Sequence, residues 1–270
     1  MLYFIATPIG NLKEITYAAI EMLKNVDCIY AENPRHSLVL LNAYNIQKPV
    51  FEYNKHTEQQ KSVEIIDKLK SGQSIALLSD AGTPLISDPG DVLRQLLITH
   101  NIPFTLIGGT CAAINALILS GLNAASFCMA GFLPTQKKQR EDFIEKFVTV
   151  QATLIFYIAV HDIKKDIAFL KEYLGKRKAA LVREISKKFE QVIRFNLSEL
   201  PDFTQKGEFV LVVEGLKATE QSTGDIDKSD IKTRLQALIS AGIDKKQAIK
   251  LLSAQLNLSK SIIYNVSIEL

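Results

Sequence analysis

Tryptophan is absent from the chain, cysteine and methionine occur three times each, and histidine four times, in 270 residues. The scattered Cys28, Cys111 and Cys128 exclude a disulfide framework and a CxxC metal site, and a reducing, cytoplasmic setting is the simplest one for them. A long apolar run is missing too. Ala116 to Leu133 is the most hydrophobic stretch, but Ser120, Gly121, Asn123 and Ser126 interrupt it, so it reads as core and domain junction and not as a membrane span. Met1 to Pro8 lacks the charged front and apolar segment of a signal peptide and reads as a first strand. Excess charge is also lacking: 32 Lys and Arg against 29 Asp and Glu leave +3, too little by itself to mark a polyanion-binding protein. The turn after the first strand carries no GxGxxG, which excludes a dinucleotide-binding reading.

What is present is globular, with 47% hydrophobic and 23% charged residues, and the length suits two domains plus an appendage. The organising stretch is Ser79-Asp80-Ala81-Gly82-Thr83-Pro84-Leu85-Ile86-Ser87-Asp88-Pro89-Gly90. It follows a strand-like run, Ser74 to Leu78, and precedes a helix-like one, Val92 to Leu97, so it reads as a loop at the carboxyl end of a buried parallel strand. Ligands of open α/β sheets bind at that edge. Ser87 or Asp88 is expected to cap the helix, with Pro89 in its first turn, and Gly82 and Gly90 to permit tight turns. Asp88 reads as a cap and nothing more. Asp80, ending an apolar strand, must face solvent, a ligand or a partner to escape the cost of burial.

Strands are expected at Leu2 to Ala6, Cys28 to Glu32, Val50 to Tyr53, Ile75 to Asp80 and Phe104 to Ile107. Helices alternate with them near Glu14 to Leu23, Leu38 to Ala43, Gln59 to Leu69, Val92 to His100 and Ala112 to Leu119. That alternation predicts an α/β domain over residues 1–121, with a mostly parallel sheet covered on both faces. The pattern restarts over residues 122–216 with strands Phe127 to Phe132 and Ala152 to Tyr157 around the helix Gln139 to Phe147. Three more strands follow, Ala179 to Ile185, Gln191 to Asn196 and Glu208 to Glu214. No long helices separate those three, so the second sheet is expected to be mixed or antiparallel, and a ligand cleft to lie between the two sheets.

Residues 217–229 are polar and read as a linker. Residues 230–270 read as a small helical extension with helices at Ile231 to Ala241, Lys245 to Leu256 and Lys260 to Leu270. Asp230, Asp244 and Ser259 are its expected N-caps and Gly242 a stop. From Ser229 to Leu270 six basic residues face three acidic ones, a surplus equal to that of the whole chain. Such a unit suits docking on nucleic acid, and packing against the core or a second subunit suits it equally.

Five motifs occur in order: Thr7 to Leu12, Ala31-Glu32-Asn33-Pro34-Arg35-His36, the loop Ser79 to Gly90, Arg183-Glu184-Ile185-Ser186-Lys187-Lys188-Phe189-Glu190, and Lys206 to Gly215. As a set they resemble the ribosomal RNA branch of the tetrapyrrole-methylase superfamily, the small-subunit rRNA (cytidine-2′-O)-methyltransferases. The resemblance runs from Leu2 to about Gly215, and the helical tail is similar to that branch's C-terminal extension. It implies a two-domain fold, a homodimer, and S-adenosylmethionine (SAM) held in the cleft. It further implies 2′-O-methylation of a cytidine ribose in the decoding region of 16S rRNA, within the small ribosomal subunit.

By position, the resemblance implies that SAM touches Pro8, Ile9, Asp80, Thr83, Cys111 and Ala112 from the first domain and Tyr157, Glu184 and Leu211 from the second. Four stretches depart from the family pattern. Asn33-Pro34 stands for Asp-Thr, Gly108-Gly109-Thr110-Cys111 for Pro-Gly-Pro-Ser, and Asn54-Lys55-His56 near a common His-Glu-His. Phe156 to Asp162 stands for Phe-Tyr-Glu-Ser-Pro-His-Arg, losing a carboxylate and a guanidinium.

Methyl transfer to a ribose hydroxyl needs the acceptor held near the methyl carbon and benefits from a base. Glu32, His36, His56 and Glu184 are the candidate bases, and none stands out. Arg35 and Arg183 suit phosphate contacts or pairing with Glu32 and Glu184 equally. Basic runs at Lys137-Lys138-Gln139-Arg140, Lys176-Arg177-Lys178 and Lys187-Lys188 suit an RNA-facing rim, or an ordinary solvated surface. Two other functions share much of this pattern: a tetrapyrrole or other small-molecule methyltransferase, and a non-catalytic ribosome-binding relative.

Overall fold

Strands whose two faces are both covered organise the first half of the chain. A computed structural model describes residues 1–217, 228–256, 258 and 260–268. In it β1 (Leu2–Ile5), β2 (Cys28–Ala31), β3 (Val50–Glu52), β4 (Ile75–Leu78) and β5 (Phe104–Ile107) form one parallel sheet in the order β3-β2-β4-β1-β5. Alternate residues serve opposite faces. Leu2, Phe4, Tyr30, Ile75 and Leu77 pack with Ile65 and Ile66 of α3 (Glu58–Lys70) and Leu93 and Leu97 of α4 (Asp91–Thr99). Ile5, Ile29, Ala76 and Leu78 pack with Ala19 and Leu23 of α1 (Tyr17–Asn25) and Leu40 and Leu41 of α2 (Pro34–Ala43). With both faces covered, central strands can be apolar throughout, as Ile75-Ala76-Leu77-Leu78 is.

The second sheet is mixed, in the order β6-β7-β10-β8-β9, from β6 (Phe127–Phe132), β7 (Thr153–Ile158), β8 (Lys178–Arg183), β9 (Gln191–Asn196) and β10 (Phe209–Val213). Only β6 and β7 run parallel; the other neighbours are antiparallel. One face carries Leu154, Phe156, Leu181, Leu211 and Val213 under α6 (Lys137–Val148) and α7 (Ile163–Leu174). No helix is expected from the sequence between Tyr157 and Ala179, yet Ile163, Ile167, Leu170 and Leu174 of α7 make an apolar stripe at helical spacing. The opposite face, with Ile155, Val182, Val210 and Val212, is covered by Ala113, Ala116 and Leu117 of α5 (Ala112–Ser120). Thus α5 leaves the first sheet and packs on the second, and Ile9 of the first turn joins the same cluster.

The tail is a three-helix unit of α8 (Lys228–Ser240), α9 (Lys245–Leu256) and α10 (Lys260–Ser267), closed around Ile231, Leu235, Ala248, Leu252 and Ile263. Asp244 caps α9 by accepting the Gln247 N–H at 3.2 Å, and Gly242 sits at φ 84° between α8 and α9. Asp230 is not a cap: it lies inside the first turn of α8 and pairs with Arg234 at 3.0 Å. Most of the expected linker, residues 218–227, and the expected cap Ser259 lie outside the described residues.

Candidate active site

Three loops at the carboxyl edge of the first sheet are laced together by backbone and hydroxyl groups. Thr7, after β1, exchanges two backbone hydrogen bonds with Gly82 at 2.9 and 3.0 Å. Its hydroxyl donates to the Ser79 carbonyl at 3.2 Å, and the Ser79 hydroxyl donates to the Gly82 carbonyl at 3.0 Å. The Thr110 hydroxyl, ahead of α5, donates back to the Thr7 carbonyl at 3.0 Å, and the Thr83 hydroxyl donates to the Thr110 carbonyl at 3.2 Å. Small, hydroxylated residues are what such close loops need, since each buried polar group must find a partner.

The central loop then departs from the capping scheme that its residues suggest. Its backbone is left-handed at Gly82, Leu85, Ser87 and Gly90, with φ of 82°, 73°, 72° and 136°. Helix α4 begins at Asp91, so Pro89 precedes it, and neither Ser87 nor Asp88 caps it; Gly90 holds the cap position. The free N–H groups of Gly90 and Val92 are taken instead by Glu58 Oε1, at 2.7 and 3.2 Å, from the start of α3. Glu58 is tied in turn to the Tyr53 hydroxyl at 3.3 Å. Gly90 sits at φ 136°, a conformation that side chains rarely adopt, so the turn requires glycine for conformation, and a Cβ there would also push on the Leu85 side chain at 2.6 Å.

Between these loops and the second sheet lies a cavity of about 520 Å³. That is ample for a small-molecule ligand, for which sites of roughly 300–1,000 Å³ are usual. Ile9, Asp80, Thr83, Cys111, Ala112 and Tyr157 line it, joined by Ile86, Asp88, Phe132, Val160, Ile185 and Val210. The remaining expected contacts stand behind the walls. Pro8 flanks Ile9 without lining the cavity. Leu211 is fully buried in the core under α6 and α7, and alternation along β10 gives the cavity its neighbour Val210. Glu184 accepts the Glu208 N–H and the Lys187 ammonium, both at 2.9 Å. Burial alone would raise its carboxyl, but Glu208 and Lys187 outweigh that and hold it below the ordinary range. The carboxyl group also fills the space beside Gly207, where a Cβ would lie 2.6 Å from its side chain. Glu184 thus fixes the Gly207-Glu208 wall from outside.

Among the other candidate bases, Glu32 is half-buried, and burial and then Asp80 raise its carboxyl. His36 is exposed with Nδ1 at 4.0 Å from Asp80, and His56 lies on the exposed turn before α3. Asp80 accepts the Asn33 N–H at 3.0 Å, and Asn33 in turn caps α2 through the His36 N–H at 3.3 Å. Burial pushes the Tyr157 hydroxyl up to about 12, with Cys111 the next contributor.

The basic runs divide in a way their sequence hides. Arg140 is buried, paired with Asp166 at 2.7 Å and stacked over Phe169. Arg177 is buried and donates to the Val148 carbonyl, while Lys187 bridges Glu184 and Glu208. Arg183 donates to the Lys206 carbonyl at 2.6 Å. Exposed basic residues remain at Lys137, Lys138, Lys176, Lys178 and Lys188.

Comparison with known proteins decides the family. The sequence pattern of the tetrapyrrole (corrin/porphyrin) methylases matches residues 1–201. The chain belongs to that family. It is a methyltransferase, and SAM is the methyl donor the family uses. It is 40% identical to "Ribosomal RNA small subunit methyltransferase I" of Pasteurella multocida, over 100% of this chain and 97% of the relative. The protein of the same name in Bacillus subtilis is 37% identical over 98% and 93%. Among solved structures, a uroporphyrin-III-C-methyltransferase from Thermus thermophilus superposes with a TM-score of 0.57 at 20% identity, covering 79% of this chain and 93% of that one. A diphthine synthase gives 0.65 at 18% identity, covering 79% and 89%. These two likenesses concern the fold alone.

The cavity fits SAM by its chemistry. Apolar walls from both sheets suit an adenine ring, and the Asp80 carboxylate suits the donor's cationic end. Gly109 has no room for a side chain, since a Cβ there would lie 2.9 Å from that of Ala6, so the backbone ahead of α5 is fixed.

Proposed function

We propose that this protein transfers a methyl group from SAM to a cytidine 2′-hydroxyl in the decoding region of 16S rRNA, acting on the small ribosomal subunit in the cytoplasm. The observation that carries the donor site is the cavity shared by both sheets, with Asp80, Thr83, Cys111 and Ala112 on one wall and Tyr157 and Val210 on the other. Full-length likeness to small-subunit rRNA methyltransferases, tail included, supports the substrate. When bound, SAM supplies an electrophilic methyl group on a sulfonium. The chain's own residues then have three tasks: to hold the donor, to exclude water, and to orient the acceptor hydroxyl.

Substrate docking falls to the tail and to the exposed lysines of the second domain. Lys246 and Lys250 of α9 and Ile262 and Tyr264 of α10 are all exposed, giving the tail both basic and aromatic side chains of the kind that contact folded RNA. We further propose a homodimer. Edge strand β5 exposes Phe104 and Leu106, and the following α5 exposes Ile114 and Ile118, an apolar surface suited to a second copy. Among the described residues no helix is long and apolar enough to cross a membrane.

Titration calorimetry with Asp80→Ala tests the donor site. The expected result is weaker SAM binding at an unchanged thermal midpoint, and wild-type affinity in the variant counts against the assignment.

A further inference from the structure

Asp88 is left over once the hydrogen bonds of the central loop are assigned. The helix it precedes is capped by Glu58, so the capping role its sequence suggests is already filled. Among the described residues no hydrogen-bond donor or cation pairs with its carboxylate. The left-handed backbone at Ser87 and Gly90, on either side, instead sets Asp88 on the cavity wall. A non-glycine residue such as Ser87 in that conformation is strained, and it persists only where surrounding structure enforces it.

The rival bases are each engaged or displaced. Glu184 is held by Lys187 behind the wall, and Glu208, which does line the cavity, pairs with the same lysine. Asp80 is bound by the Asn33 N–H, and His161 sits 3.2 Å from Asp162. Glu32, His36 and His56 do not line the cavity.

We propose that Asp88 is the catalytic base, accepting the proton of the acceptor hydroxyl during methyl transfer; this rests on the methyltransferase reading above. The acceptor oxygen bonds the methyl carbon, the carbon–sulfur bond breaks with its electron pair left on sulfur, and the hydroxyl proton passes to an Asp88 carboxylate oxygen. A cation and an anion thereby become a neutral thioether and a neutral carboxyl, alongside the methyl ether. The groups that set the proton affinity of Asp88 are Glu32 after β2, Asp80 after β4 and Tyr157 on β7, with Cys111 and His161 on the same cavity. Burial, then Glu32 and Asp80, push the Asp88 carboxyl up to about 7. A base poised there is matched to work near neutral pH.

The test compares wild type with Asp88→Asn in three measurements: SAM affinity by calorimetry, single-turnover methylation of small subunits across pH, and carbon-detected NMR titration of the carboxyl in the donor-free protein. The expected results are unchanged SAM affinity, a rate loss of about 100-fold or more, and a wild-type carboxyl titrating near neutrality that the variant lacks. Near-wild-type rates with the same pH profile overturn the proposal, as does loss of SAM affinity, which would make Asp88 a donor-holding residue. A wild-type Asp88 titrating in the ordinary carboxylate range overturns it even if the variant does not fold. A wild type that binds SAM but methylates no subunit sinks the substrate reading, and this proposal with it; an active wild type with an active variant sinks this proposal alone.

Discussion

Glu58 caps a helix to which it does not belong, accepting the Gly90 N–H at 2.7 Å from 32 residues away. The contact joins α3 to the loop that carries both Asp80 and Asp88, and relieves that loop's own side chains of capping. Glu58→Ala should cost about 1–2 kcal/mol in chemical denaturation, as lost caps do. It should also weaken SAM binding, because the end of the loop is released. A destabilised variant with intact SAM affinity would mean that the loop keeps its shape without the cap.

The pH dependence of stability should report on Asp88 directly. Its folded carboxyl is raised from 3.8 to about 7, so the folded state holds this proton more tightly than the unfolded chain. The resulting stabilisation is full below pH 3.8 and is lost as pH rises through about 7. Asp88→Asn, which cannot ionise, should therefore melt above wild type at pH 8 and close to it at pH 4. An equal difference at both pH values would show that ionisation is not what costs stability.

Arg140 and Lys138 are two residues apart in one basic run and should behave oppositely. Removing Arg140 leaves Asp166 buried and unpaired, so Arg140→Ala should cost about 3–5 kcal/mol by denaturant unfolding. Lys137→Ala with Lys138→Ala should leave the midpoint unchanged while reducing affinity for small-subunit RNA and flattening its salt dependence. An RNA defect in a well-folded Arg140→Ala protein would contradict this division.

These two cases show what was legible in the sequence. Edge strands bounded by clear turn signals, such as Phe104–Ile107 and Gln191–Asn196, were readable to the residue, because the local pattern alone sets their ends. Misreadings arose where the deciding partner is far along the chain: Glu58 for the α4 cap, Asp166 for Arg140, Val148 for Arg177. Leu211 and Val210 illustrate a finer limit. A fully apolar strand, Phe209–Val213, carries no alternation to tell which face meets the cavity.

The tail closes its own core around Leu235, Leu252 and Ile263, and the cavity is lined without it. A chain ending near Gly224 should therefore keep its SAM affinity and methylate small subunits poorly. Retained methylation by a stable truncate would remove the RNA-docking role. Loss of SAM binding would show that the helices support the body of the protein.

The most direct measurement is methylation of small ribosomal subunits from a strain lacking this protein, using SAM with a labelled methyl group and mapping the product by mass spectrometry. The account predicts one labelled methyl on a cytidine ribose of 16S rRNA, in the decoding region. Labelled methyl on a base or on protein, or none at all from a protein that binds SAM, would contradict it.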